Sequence, residues 1–147
     1  MNNNGHRPDH HDQRALVCRG IRGAISVEEN TKAAIVARTA ELLRAIVEAN
    51  GVRQEDIVSV FFSATPDLDA EYPAIAARRE LGWHDVGLMC GQEMVVPGSL
   101  RMCIRVLIHW NTTLRNSEIR HIYLREAVTL RPDHSDKQKT LEPPFKS

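Results

Sequence analysis

An arginine stands in the middle of one of the most apolar stretches of the chain. In CIRVLIHW, residues 103–110, two-residue alternation puts Ile104, Val106 and Ile108 on one face of a strand and Cys103, Arg105, Leu107 and His109 on the other. An unpaired buried guanidinium costs several kcal/mol, so Arg105 must face a carboxylate, a ligand, or water at an edge. A structural ion pair and a ligand site both satisfy that requirement. Other groups of suitable chemistry lie elsewhere in the chain. RGIRGA carries Arg19 and Arg22, three residues apart and so on opposite faces of a regular strand. Glu93, in CGQEM, follows a strand-like run from which a carboxylate reaches the sheet end, and Tyr123, in HIYL, brings a phenol able to donate a hydrogen bond. Two or more arginines with a carboxylate and a phenol suit a polyanion that also bears a hydroxyl. GxSxG, GxGxxG and GxxxxGK[ST] do not occur.

These groups need a scaffold, and the hydrophobic pattern predicts one. Residues 15–27 read as a strand interrupted or bent by Gly20 and Gly23. Ile35, Leu42, Leu43, Ile46 and Val47 recur at helical spacing, with Asn30 and Thr31 before them and Gly51 after, which predicts a helix over residues 31–50. IVSVFF, residues 57–62, is nearly continuous and apolar, as for a strand covered on both faces. Residues 63–73 read as a loop, residues 74–81 as a short helix closed by Gly82, and residues 86–90, 103–110 and 121–130 as strands. The order β-α-β-α-β-β-β predicts a single α/β or α+β domain over residues 15–133, with a disordered extension at 1–14 and a mobile tail at 134–147.

Composition narrows the function classes. The chain has 147 residues with 19 basic and 19 acidic side chains, and this neutrality argues against a sequence-independent nucleic-acid binder. A chain of this length builds a core without staples. Its three cysteines, Cys18, Cys90 and Cys103, lack zinc-ligand spacing and point to free thiols in a reducing compartment. His6, His10 and His11 do not suffice for a metal site. With no membrane-length apolar run and no signal-peptide core at the start, a cytoplasmic location is expected.

RGIRGA (residues 19–24), SATPDL (63–68), CGQEM (90–94), CIRV (103–106), IRHIYL (119–124) and LRPD (130–133) together resemble the AroH-type monofunctional chorismate mutases, in the same order and with compatible spacing from Cys18 to Asp133. The resemblance implies a mixed sheet packed by helices in each subunit of a trimeric pseudo-barrel, with active sites between subunits. It implies the cofactor-free rearrangement of chorismate to prephenate in phenylalanine and tyrosine biosynthesis. By the same resemblance Arg22, Arg105 and Tyr123 hold the enolpyruvyl carboxylate, and Arg105 also donates to the ether oxygen. Glu93 and the thiol or backbone of Cys90 surround the ring hydroxyl. Tyr72, Ala74 and Arg78 come from the neighbouring subunit, and Leu88, Met89, Leu130 and Arg131 line or close the pocket. Three positions depart from the best-known members: Tyr72 replaces phenylalanine, Ile75 lysine and Met89 threonine. Arg78 and Arg131 then supply more of the field that attracts a dianion. The rivals are another enzyme on a similar trimeric scaffold and a non-catalytic trimer that binds a carboxylate metabolite. The joint presence of Glu93, Arg105 and Tyr123 discriminates, because a carboxylate binder needs the arginine but has less reason to keep a hydroxyl-anchoring acid.

Overall fold

The computed structural model describes residues 14–131. Five strands and two helices follow one another as β1 (Val17–Ser26), α1 (Lys32–Asn50), β2 (Ile57–Ala64), α2 (Ala74–Arg79), β3 (Gly87–Gln92), β4 (Cys103–Thr112) and β5 (Ile122–Leu124), with short 3-10 turns before β2, before β5 and after β5. They form one mixed sheet in the order β3-β2-β4-β1-β5. β4 runs antiparallel to both of its neighbours, β1 and β2, while β3 and β5 pair parallel at the two edges.

Sheet polarity follows from alternation along each strand. Ile21 and Ile25 of β1, Val60 and Phe62 of β2, and Ile104, Val106 and Ile108 of β4 all turn to one face and are almost fully buried there with Ile35, Leu42, Leu43 and Ile46 of α1. The ends of α1 carry the anticipated signals. The Thr31 side chain accepts from the Ala34 N–H at 3.1 Å, and Gly51, at φ 67°, donates its N–H to the Val47 carbonyl at 2.8 Å.

Several expectations need correction. β1 pairs with β4 through all ten residues without a register shift, so its glycines do not interrupt it. Gly23 instead permits close approach of α1: a Cβ there would lie 2.8 Å from Ile46 Cδ1 and 3.1 Å from the Ile122 carbonyl oxygen. β2 continues to Ala64, two residues into the expected loop. It is covered on one face only in the single chain, with Phe61 41% exposed on the other. The strand expected over residues 121–130 is a three-residue strand followed by 3-10 turns over Arg125–Leu130. Arg125 adopts φ 55° there, and this left-handed residue ends the strand by redirecting the chain across the sheet. The expected extension and tail lie outside the described residues except for Arg14, which pairs with Glu118.

Candidate active site

The sheet face opposite α1 collects the polar residues that alternation excludes from the core. On it Arg105 of β4 lies between Ala24 of β1 and Ser63 of β2, its cross-strand partners. Glu93 follows β3, and its N–H donates to the Ala64 carbonyl at 2.9 Å, which prolongs the β2–β3 pairing by one step. That anchor brings Glu93 Oε2 to 3.4 Å from Arg105 Nε and 2.6 Å from the Ser63 hydroxyl, which donates to it. The Arg105 side chain remains 45% exposed, so its charge is answered both by a carboxylate and by access to solvent.

Two further elements complete this face. Arg22 sits opposite Leu107 on β1 and points to the same side as Arg105, while its backbone N–H donates to His121 Nδ1 at 2.9 Å. Tyr123, opposite Ala24, is buried with Ala24, Cys103 and Ala127 under Leu100 and Leu130. The 3-10 turns that bring Leu130 and Arg131 across the sheet are tied down at both sides. Arg125 Nε donates to Glu41 Oε2 of α1 at 3.2 Å, and the Glu126 N–H donates to the Ser26 hydroxyl at 3.1 Å. The result is a cleft of about 280 Å³ lined by Arg22, Phe61, Ser63, Arg105, Tyr123 and Arg131, among others.

The start of β4 is fixed by a separate clamp. Asp67 accepts from the Met102 N–H at 3.1 Å, the Thr65 hydroxyl bonds to Asp67, and Thr65 Oγ1 accepts from the Cys103 N–H at 3.0 Å. Burial opposes ionisation of Asp67, but the hydrogen bonds from Thr65 and Met102 together with the charge of Arg101 outweigh it and hold the carboxyl below its usual range. Met102 itself sits at φ 50°, and its carbonyl accepts from the Val27 N–H at 2.8 Å.

The remaining candidates fall elsewhere in the single chain. Leu88 and Cys90 alternate away from Met89 and pack against the main core, whereas Met89 is 64% exposed on the open face. Ala74 is buried, Arg78 is exposed near the end of α2, and Tyr72 is exposed on a second cleft of about 450 Å³ that also holds Cys90. The sheet thus separates one set, Arg22, Met89, Glu93, Arg105, Tyr123, Leu130 and Arg131, from another, Tyr72, Ala74, Arg78, Leu88 and Cys90. Burial pushes the Cys90 thiol up, against the opposing effects of the Ala74 backbone and the Arg78 charge, which is the wrong direction for a nucleophile. Cys103 is pushed up to about 11, first by burial, with the nearby Arg105 charge acting against it. Among the described residues no cluster of three or more metal-ligating side chains is found.

Known proteins resemble this chain in sequence and in fold. Residues 18–134 match the family described as chorismate mutase type I. The chain belongs to that family. Chorismate mutase AroH of Thermus thermophilus is 53% identical over 116 residues, covering 78% of this chain and 94% of the relative. Chorismate mutase AroH of Bacillus subtilis strain 168 is 47% identical over 120 residues, 82% of this chain and 94% of the relative. A solved chorismate mutase from Clostridium thermocellum superposes with a TM-score of 0.74 at 49% identity, over 76% of this chain and 98% of that one.

Within this chorismate mutase chain, Ser63 and Phe61 line the cleft although sequence reasoning did not single them out. The signal was available: extending the alternation of VSVFFSA through Ala64 places Ser59, Phe61 and Ser63 on the open face with Arg105. Reading Ser63 as loop concealed it.

Proposed function

We propose that the chain converts chorismate to prephenate in a cleft that two copies complete. Membership of the type I chorismate mutase family makes it an isomerase of aromatic biosynthesis. The observation that carries the site is the convergence of Arg22, Arg105 and Tyr123 on one open sheet face, with Glu93 paired to Arg105. Tyr72, Ala74, Arg78, Leu88 and Cys90 lie apart from that face in one chain, so a neighbouring subunit supplies them. A closed trimer, in which each interface is heterologous and the ring completes, satisfies this for every site.

The reaction is unimolecular: the ether C–O bond breaks as a C–C bond forms, and no proton changes hands. Arg22 and Tyr123 hold a carboxylate and so select the compact diaxial conformer, an orientation effect. Arg105 shares that contact and donates to the ether oxygen as negative charge grows on it. Glu93 accepts from the ring hydroxyl and keeps Arg105 aimed. Leu130 and Arg131 close the mouth, and the charges of Arg78 and Arg131 draw in the dianion from a chain with no net field. The described residues contain no helix long and apolar enough to cross a membrane, and the cytoplasm is the proposed location.

Following chorismate loss and prephenate formation with purified protein tests the activity, and sedimentation tests the assembly. Turnover by a trimer is expected. A stable active monomer would refute the shared cleft, and tight binding of a transition-state mimic without turnover would make the protein a carboxylate-binding trimer instead.

A further inference from the structure

Ser63 lines the proposed site and its hydroxyl is bonded to the carboxylate beside Arg105. Arg105 approaches Glu93 most closely through Nε, at 3.4 Å, and among the described residues no hydrogen bond from its two Nη groups is found. An arginine beside a carboxylate ordinarily closes the two-point fork, which takes up two donors. Here both oxygens of Glu93 are already engaged: Oε2 accepts the Ser63 hydroxyl at 2.6 Å, and Oε1 accepts the Met94 N–H at 3.3 Å. Ser63 is also the direct cross-strand partner of Arg105, so the central β2–β4 ladder fixes its hydroxyl beside that guanidinium.

We infer that Ser63 is a positioning residue: by holding Glu93 against the Nε of Arg105, it keeps the Nη donors available to the substrate. The inference rests on the reading that Glu93 and Arg105 face the substrate. Without the hydroxyl, Glu93 is free to rotate into the fork and withdraw Arg105 from the ether oxygen. A serine that served the fold alone would affect melting rather than turnover, and its loss would not depend on Glu93.

The test is steady-state kinetics and thermal melting of the full chain carrying Ser63→Ala, Ser63→Thr, Ser63→Cys, Glu93→Gln, and Ser63→Ala with Glu93→Gln. A hydrogen bond to a charged group sets the scale, so Ser63→Ala is expected to lower kcat by about ten- to a hundredfold with KM changed by less than about threefold. Ser63→Cys, similar in shape but a weak donor, shows a comparable loss. Ser63→Thr, which keeps the hydroxyl, recovers most of the turnover. In the Glu93→Gln background, Ser63→Ala adds less than about a twofold loss. Turnover of Ser63→Ala or Ser63→Cys within about twofold of the parent would overturn the inference. So would independent, multiplicative losses in the double variant while Glu93→Gln alone is impaired. Full turnover by Glu93→Gln would instead remove Glu93 from the site, and the inference with it.

Discussion

Replacing Arg105 with alanine is the most demanding perturbation of the proposed mechanism, because the structure separates its effect on chemistry from its effect on folding. Arg105 lies on the open face, with its side chain 45% exposed, and the core of β4 is built from Ile104, Val106 and Ile108 on the other side. Among the described residues its ion pair is with Glu93, itself 25% exposed, and a solvent-reached pair of this kind is worth about 1 kcal/mol or less. The variant is therefore expected to fold and melt close to the parent. Turnover is another matter. Loss of a preorganised donor from developing charge costs about 3–4 kcal/mol, a hundred- to a thousandfold in rate. A second cost adds to it, since Glu93 keeps the Ser63 hydroxyl but loses its cation and leaves an uncompensated carboxylate facing a dianion. Arg105→Lys keeps the charge but loses the planar fork, and should remain severely impaired. The assay is chorismate consumption at saturating substrate, alongside a melting curve. Turnover within about tenfold of the parent in either variant, with native melting, would refute the role given to Arg105.

Other outcomes follow from separate parts of the structure. Gly23→Ala pushes a methyl against Ile46 and the Ile122 carbonyl and should destabilise the fold by about 1–3 kcal/mol, read from the urea midpoint. Asp67→Asn tests the clamp before β4. Because the folded carboxyl titrates below its ordinary 3.8, its contribution is present above that pH and is lost as pH falls through the lower folded value, so parent and variant melting temperatures should converge in strong acid and separate towards neutrality. Mixing subunits carrying Arg105→Ala with subunits carrying Arg78→Ala tests the shared cleft: random closed trimers leave about a quarter of the sites with both halves intact, so activity should exceed that of either variant alone, and no gain on mixing would argue that each chain completes its own site.

How far the site was legible depended on how local its causes are. The alternation of CIRVLIHW placed Arg105 opposite Ile104, Val106 and Ile108, and the register with β1 and β2 bears this out, because period two is a property of the strand itself. Opposite facing of Arg19 and Arg22 followed for the same reason. The boundaries of α1 were legible because Thr31 and Gly51 act within one turn. What failed was non-local. Nothing in the sequence near Gly23 announces that α1 will lie against it, so the glycine read as a break rather than a point of contact. Residues 125–130 are apolar enough to pass for strand, and only the turn at Arg125, held by Glu41 from a distant helix, makes them cross the sheet. The six motifs identified the family, but their assignment to two sets separated by the sheet required the register of β3.

That register has an evolutionary consequence. Leu88, Met89 and Cys90 are consecutive, yet alternate ones face different compartments, Met89 with the open face and its neighbours with the core and the second cleft. Substitutions in β3 can be absorbed one compartment at a time. Deleting or inserting a single residue there cannot, since a one-step slip exchanges every side chain between the faces. Homologues should accordingly vary freely in the length of the segment joining β3 to β4 but hold the length of β3 itself, and β3 should reject single-codon insertions that nearby loops accept.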